Sequence, residues 1–186
     1  MVRGDCGVSD ACASVDPRVA EGPDGAVISR FCHGQRRDGL GQTVAAEFAD
    51  GPVVVTTRTD AEDCVVAIDP ERLRSALIHL AHNAIEASRP GDWVIISTRR
   101  HDAQLIIEII DQGPGMDAAF VRDELFQPFR STKSGGHGIG AFQTRELIRT
   151  AGGDLEVISE KGAGTTMRIL LPLVTEREPA ASSAAV

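Results

Sequence analysis

The chain has 186 residues, of which 42% are hydrophobic and 25% charged, and its formal net charge is −8 at pH 7. This length and composition predict one globular domain, and the negative charge disfavours a protein that coats nucleic acid or an anionic membrane, because both need a basic surface. No apolar run approaches the roughly 20 residues needed to cross a bilayer, and the N-terminus lacks a signal-peptide pattern. The four cysteines, Cys6, Cys12, Cys32 and Cys64, form no CxxC pair, so we expect a reducing, cytoplasmic setting without a zinc site.

Three segments are predicted along the chain. Residues 1–42 are rich in Gly, Asp, Arg and Ala and show no sustained apolar period, which indicates a poorly ordered segment. Residues 43–174 carry regular apolar patterns and are predicted to form the domain. Residues 175–186 are predicted to be a flexible C-terminal tail.

The first half of the domain is predicted to contain two short strands and a long helix. The β-branched runs at 53–57 and 64–68 are typical of strands. The helix is predicted over 69–88, because Asp69 suits the N-cap, Pro70 suits the first turn, and the sequence RPGD stops the helix.

The second half is predicted to contain four strands, a long glycine-bearing connection and a second long helix. In chain order these are strands 93–100 and 105–111, connection 111–138 with one short helix, helix 137–152, and strands 154–160 and 165–172. The connection is too long for a mere linker inside a domain, so we expect a functional lid. The fold class is therefore predicted to be α+β, a two-layer α/β sandwich whose mixed, mostly antiparallel sheet has helices on one face.

The first long helix carries an unusual polar stripe. At roughly 100° per residue its apolar side chains fall together, and Ser75, His79, His82, Asn83 and Glu86 fill the remaining sector. A solvated face explains such a stripe, but solvated faces usually carry Lys, Arg and Glu, whereas His and Asn are poor helix formers. A ligand is the other explanation, since His79 and Asn83 lie one helical turn apart and can reach a common group.

A carboxylate ends the apolar row of the strand at 105–111. Alternation places Asp111 on the same face as Leu105 and Ile109, where a carboxylate can accept hydrogen bonds from a group bound in a partly dry pocket. Alternatively, Asp111 only opens the turn DQGPG. Gly113 suits either interpretation, because both a tight turn and close ligand approach need a backbone without a side chain.

A glycine cluster, GGHGIGA, opens the second long helix. Gly136, Gly138 and Gly140 lie at the start of this helix, where backbone N–H groups attract phosphate, although a glycine cluster there is also a common structural feature. The spacing matches neither a P-loop nor a dinucleotide-binding fingerprint. Lys133 adds a positive charge just upstream. The sequence GAGTT is explained most simply as a hairpin turn, with Thr165 as a possible hydrogen-bond donor to a nearby pocket.

Taken in order, these segments resemble the motifs of the GHKL ATPases, which include histidine kinases, Hsp90-type chaperones, type II topoisomerases and mismatch-repair proteins of the MutL kind. HLAHNAIEA resembles the N box, DQGPGM the first glycine box, LFQPFRSTK the F box, and GGHGIGA with GAGTT the second glycine region. The short lid and the ending GTTMRILLP look like the catalytic ATP-binding domain of sensor histidine kinases, and GHGIGAFQTRE is similar to a subgroup associated with PEP-CTERM exosortase systems. The resemblance implies a Bergerat fold with an ATP lid, and ATP and Mg²⁺ as cofactors.

The resemblance also implies residue roles. Asn83 matches the ligand of the magnesium ion, His79 the polar residue that handles the attacking group or water, and Asp111 the carboxylate that accepts the adenine amino group. His79, Asn83 and Lys133 are the implied catalytic residues. The nucleotide-binding residues implied by the resemblance are Asn83, Glu86, Ala87, Asp111, Gly113, Gly115, Met116, Phe126, Phe129, Ser131, Thr132, Lys133, Gly136, His137, Gly138, Ile139, Gly140 and Thr165.

The implied function is phosphoryl transfer from Mg·ATP to a histidine in a two-component pathway. None of the five histidines, His33, His79, His82, His101 and His137, lies in an HExxxP-like acceptor box. We therefore expect the acceptor histidine on a separate dimerisation domain or on a partner protein of a response-regulator pathway. A stand-alone serine kinase of the anti-sigma-factor type and a non-catalytic, ATP-dependent interaction module are the alternatives.

Overall fold

The computed structural model describes residues 20–21, 27–31, 40–61, 64–130 and 138–174. Within these residues the chain forms eight strands and four helices. In chain order they are β1 Ala20–Glu21, β2 Val27–Phe31, α1 Leu40–Ala46, β3 Val54–Asp60, β4 Cys64–Val66, α2 Pro70–Ala87, β5 Trp93–His101, β6 Gln104–Asp111, α3 Ala118–Asp123, α4 Gly140–Thr150, β7 Asp154–Glu160 and β8 Gly164–Pro172.

The main sheet has five strands in the order β3-β5-β6-β8-β7. Only β3 and β5 pair in parallel, and the other three pairs are antiparallel. Alternation along β6 turns Leu105, Ile107 and Ile109 towards the core, where each is at most 1% exposed. The prediction of a mixed, mostly antiparallel sheet is confirmed.

Three helices cover one face of this sheet. α1 packs on β3 and β5, α2 on β5 and β6, and α4 on β7 and β8. The apolar side of α2 provides Leu73, Leu77 and Leu80, which are fully buried against the sheet. Burying one leucine side chain contributes about 1.5–3 kcal/mol, so this face holds α2 in place and leaves its polar stripe outside the core. The predicted α+β sandwich is confirmed.

Local signals define both ends of α2 as the sequence predicts. Asp69 is the N-cap, and its Oδ1 accepts a hydrogen bond of 2.9 Å from the Arg72 backbone N–H. Pro70 is the first helical residue, where its missing N–H costs nothing. The helix ends at Ala87, and the backbone N–H of the C-cap residue Ser88 donates to the carbonyl groups of Ala84 and Ile85.

Replacing the cap by Asp69→Ala is expected to lower the free energy of unfolding by about 1 kcal/mol, because an N–H group of the first turn loses its acceptor. Urea denaturation followed by circular dichroism measures this loss. Ser75→Ala, at an exposed position within the same helix, is the matched control and is expected to stay within about 0.5 kcal/mol of the wild type. Equal effects of both substitutions would contradict the capping role.

The N-terminal part of the structure contains a second, smaller sheet. The strand predicted at 64–68 exists as β4, but it belongs to a second, three-stranded sheet in the order β1-β2-β4. β1 and β2 lie within 1–42, and α1 begins at Leu40, before the predicted domain boundary. α1 has seven residues and Val44 as its one buried residue, so it is too short to show an apolar period. The predicted tail at 175–186 lies outside the described residues.

Candidate functional site

Asp111 lies at the end of β6, on the helix-covered face of the sheet. It is 7% exposed, and its Oδ1 accepts hydrogen bonds from the backbone N–H groups of Gly113, at 2.8 Å, and Thr165, at 3.2 Å. Thr165 is opposite Asp111 in the antiparallel β6–β8 pair. Two backbone donors therefore set the orientation of the carboxylate, and its burial agrees with the apolar row of its strand.

Two glycines bring other backbone segments close to Asp111. A Cβ atom on Gly113 would lie 2.8 Å from the carbonyl oxygen of Ala87, at the end of α2. Gly164 has φ +91°, and a Cβ atom there would overlap the carbonyl oxygen of Asp111. The carboxylate thus lies where the end of α2, the end of β6 and the start of β8 come together.

The turn after β6 is joined to the β7–β8 hairpin. Gly115 has φ +65°, and a Cβ atom there would overlap the carbonyl oxygen of Glu160, so this glycine is required by close backbone packing. The Met116 N–H donates to Ser159 Oγ at 2.8 Å, and Ser159 Oγ lies 2.9 Å from Thr165 Oγ1. Ser159 was not predicted as a site residue from the sequence. It ends the alternating row of Leu155 and Val157 in β7, as Asp111 ends the apolar row of β6.

The polar stripe of α2 lies outside the core, and its members have different neighbours. His79, His82 and Glu86 are exposed, and Asn83 is half-buried. His82 Nδ1 lies 3.5 Å from Glu86 Oε1, and the His82 ring lies 6.5 Å from the ring of Phe48 on the α1 side. His79 instead contacts α4, since a Cβ atom on Gly140 would overlap its imidazole ring.

One row of α2 residues connects the two ends of the site. His79, Asn83 and Ala87 are spaced four residues apart and lie along one side of the helix. His79 contacts Gly140 at the start of α4, and Ala87 contacts Gly113 beside the buried carboxylate. Eight residues of helix span about 12 Å, so Asn83 lies midway along a path of that length. A path of this size suits an extended ligand with different groups at its two ends.

The start of α4 offers backbone donors to an anion. Gly140 is its first residue and Ile139 its N-cap, and an isoleucine side chain has no polar atom that can cap a helix. The N–H groups of the first helical turn have no intrahelical acceptor, and the helix dipole is positive at this end. Negative charge is therefore favoured here.

The F-box aromatics occupy different environments. Phe126 packs against the core, and the guanidinium carbon of Arg145 in α4 lies 4.2 Å from its ring centroid. Arg145 Nε is also 3.3 Å from Asp154 Oδ1. Partial burial raises the pKa of Asp154, but hydrogen bonds from the Leu155 N–H and from two arginines outweigh it and leave the pKa below its usual value.

Phe129, by contrast, is 78% exposed, has φ +65°, and donates its backbone N–H to the Gly138 carbonyl at 3.0 Å. This hydrogen bond joins one residue before and one residue after the part of the predicted lid that the structure does not describe. The predicted site residues Ser131, Thr132, Lys133, Gly136 and His137 lie outside the described residues.

The oxygen donors present fit a magnesium ion that enters with phosphate. In the described part of the chain, no group of three or more His, Cys, Asp or Glu side chains is placed to hold a metal ion. Mg²⁺ is commonly bound through one or two protein oxygens together with substrate phosphates and water. The side chain of Asn83, on the α2 row, has an amide oxygen, which is a ligand type that suits this mode.

Comparisons with known proteins agree with this architecture. Residues 68–175, more than half of the chain, match the family described as histidine kinase-, DNA gyrase B- and HSP90-like ATPases. The chain is similar to sporulation kinase C of Bacillus subtilis, with 30% identity over 117 residues that cover 63% of this chain and 27% of the relative. It is also similar to the sensor histidine kinase ZraS of Escherichia coli, with 31% identity over 128 residues that cover 67% of this chain and 27% of the relative. The chain thus spans about a quarter of the length of these relatives.

Solved structures share the fold. The catalytic domain of histidine kinase ThkA superposes with a TM-score of 0.66 at 24% sequence identity, covering 78% of this chain and 95% of that one. The histidine kinase domain of the Escherichia coli osmosensor EnvZ gives a TM-score of 0.61 at 20% identity, covering 85% of this chain and 95% of that one. Among the helices that the structure describes, none is long and apolar enough to span a membrane.

Proposed function

Because the chain belongs to the family of histidine kinase-, DNA gyrase B- and HSP90-like ATPases, we propose that it is the ATP-binding catalytic domain of a two-component sensor histidine kinase. The observation that carries the proposal is the α2 row, which runs from the residues beside the Asp111 carboxylate to the start of α4 with Asn83 midway. The relatives that are named as sensor or sporulation kinases favour this member of the family over a chaperone or a topoisomerase.

Each end of the row suits one part of ATP. The buried Asp111 carboxylate accepts the adenine amino group, because two backbone donors to Oδ1 already fix its orientation. The phosphates extend along α2 towards the N–H groups at the start of α4. Asn83 contributes its amide oxygen to the magnesium ion that accompanies the triphosphate, and this ion supplies charge neutralisation.

The reaction is an in-line displacement at the γ-phosphorus. A nitrogen of the acceptor imidazole forms the new P–N bond, the bond to the β,γ-bridging oxygen breaks, and its electron pair leaves with ADP. The attacking nitrogen carries the free electron pair of the imidazole, and the proton on the other ring nitrogen is lost to His79 or to a water that His79 holds. The protein contributes positioning and a field favourable to negative charge. The acceptor lies on a dimerisation domain or a partner of the response-regulator pathway.

Labelling distinguishes this function from its alternatives. The chain is mixed with [γ-³²P]ATP and a panel of purified histidine-bearing dimerisation domains from the same organism. We expect label on a partner that is stable to alkali and lost in acid, as phosphohistidine is. The Asn83→Ala variant is expected to transfer at least tenfold more slowly, because the ion loses its protein ligand, while His82→Ala on the same helix serves as control.

Other results would replace the proposal. Acid-stable label on a serine-bearing partner would indicate an anti-sigma-factor-type serine kinase. Saturable ATP binding without transfer to any partner would indicate a nucleotide-dependent interaction module.

A further inference from the structure

The contact between His79 and Gly140 has a consequence for nucleotide selectivity. We propose that the imidazole of His79 and the terminal phosphates of the nucleotide compete for the same place at the start of α4. His79 then determines how strongly the site prefers ATP over AMP, since only the longer phosphate chain must displace the ring. This inference rests on the proposed function, because it assumes that the phosphates extend towards α4.

The side-chain packing shows why residue 140 is a glycine. Gly140 is not among the glycines with positive φ, so the backbone conformation itself accepts any residue there. A Cβ atom at this position would instead overlap His79, with Nε2 as its nearest atom and Cε1 and Cδ2 next. The ring therefore fills the volume that every other amino acid at residue 140 would use.

The direction of that volume explains the competition. In an α-helix the Cα–Cβ bond tilts towards the N-terminus, the same direction in which the N–H groups of the first turn point. The ring in the Cβ position of Gly140 thus lies on the approach of an anion to those N–H groups. A phosphate that accepts hydrogen bonds from them, at about 2.9 Å, cannot share this volume with the imidazole.

The ring of His79 lies at the protein surface. His79 is exposed, and a histidine at the surface can change to another staggered rotamer without leaving its helix. Its neighbour in the stripe, His82, has different partners, since it contacts Phe48 and Glu86. His82 therefore provides a control with the same chemistry on the same helix, next to α1.

The test compares the affinities of ATP, ADP and AMP by calorimetry in excess Mg²⁺. For His79→Ala we expect ATP to bind about 3- to 10-fold more tightly, because ATP no longer has to break one contact of the ring with Gly140. The affinity for AMP is expected to stay unchanged. The same variant is expected to show a lower KM for ATP together with a lower kcat, because the residue near the reacting group is gone. His82→Ala is expected to leave the ratio of ATP to AMP affinity at the wild-type value.

A second variant and a direct probe keep the inference falsifiable. Gly140→Ala places a methyl group permanently in the volume that the His79 ring occupies, so the affinity for ATP is expected to fall towards that for AMP. Adding His79→Ala to this variant is not expected to restore the affinity for ATP. With ¹³C-labelled histidine, the nuclear Overhauser effect between the His79 ring and Gly140 Hα is expected to disappear with ATP and to persist with AMP.

The outcomes separate this inference from the proposed function. If the wild type binds ATP but His79→Ala binds it equally or more weakly, the competition is overturned. If the ring-to-Gly140 signal survives saturation with ATP, it is overturned as well. If the folded wild type binds no adenine nucleotide at all, the proposed function fails first, independently of His79.

Discussion

Asp111→Asn is expected to weaken the binding of ATP about 10- to 100-fold while leaving the domain folded. The backbone N–H groups of Gly113 and Thr165 require an acceptor at Oδ1, so an asparagine keeps its oxygen there and places its NH₂ group where Oδ2 was. That NH₂ group then meets the amino group of adenine, donor against donor. An unsatisfied hydrogen bond to a buried charged group costs about 1.5–3 kcal/mol, which corresponds to this loss in affinity.

Calorimetry with ATP, ADP and AMP measures the effect of this substitution. The loss is expected to be the same for all three nucleotides, because Asp111 acts at the base and not at the phosphates. Asp102→Asn is the matched control: it lies in the turn before β6 with φ 52°, a conformation that asparagine adopts readily, and its side chain is 90% exposed. A loss of affinity for ATP alone would contradict the prediction, because it would place the Asp111 carboxylate near the phosphates and not near the base.

Gly164→Ala is expected to lower the free energy of unfolding by about 2–5 kcal/mol. The left-handed conformation, φ +91°, costs an alanine about 1–2 kcal/mol. The added methyl group would also overlap the carbonyl oxygen of Asp111, and the backbone shift that relieves such crowding costs about 1–3 kcal/mol. Because the shift separates the start of β8 from the end of β6, nucleotide affinity is expected to fall as well.

The same hairpin provides a control for the Gly164 prediction. Gly162 has φ +89°, but a Cβ atom there meets nothing within 4 Å, so Gly162→Ala is expected to cost only the conformational term of about 1–2 kcal/mol. Urea denaturation of the two variants measures the difference, which isolates the overlap with Asp111. Equal losses would show that the overlap of the added methyl group with the Asp111 carbonyl oxygen costs no stability.

Much of the fold could be predicted from local patterns. The boundaries of α2 follow from a cap, a proline and a 3.6-residue apolar period, and the β5–β6 and β7–β8 hairpins follow from alternation and turn residues. β4 shows the limit of this approach. Its sequence predicts a strand, but its partner β2 comes from a segment whose composition indicated poor order. The choice of partner depends on long-range packing, which no short window contains.

The candidate site, too, could be predicted only in part from local sequence patterns. The resemblance to the GHKL motifs is confirmed as membership of the family, and the burial of Asp111 agrees with the apolar row of its strand. The roles of individual residues in binding ATP and Mg²⁺ stay predictions. Ser159 was missed because its importance arises from Met116, 43 positions earlier in the chain.

The sequence by itself determined the secondary structure of the domain core, the motifs in their order and the polar stripe of α2, because each of these depends on residues within about one or two turns of a helix or strand. Only the tertiary structure decided that Thr165 donates to Asp111 across 54 positions and that His79 covers Gly140. These contacts form when α2, β6, β8 and α4 are packed together. Their geometry depends on strand register and helix packing, which the burial of apolar surface over the whole domain establishes.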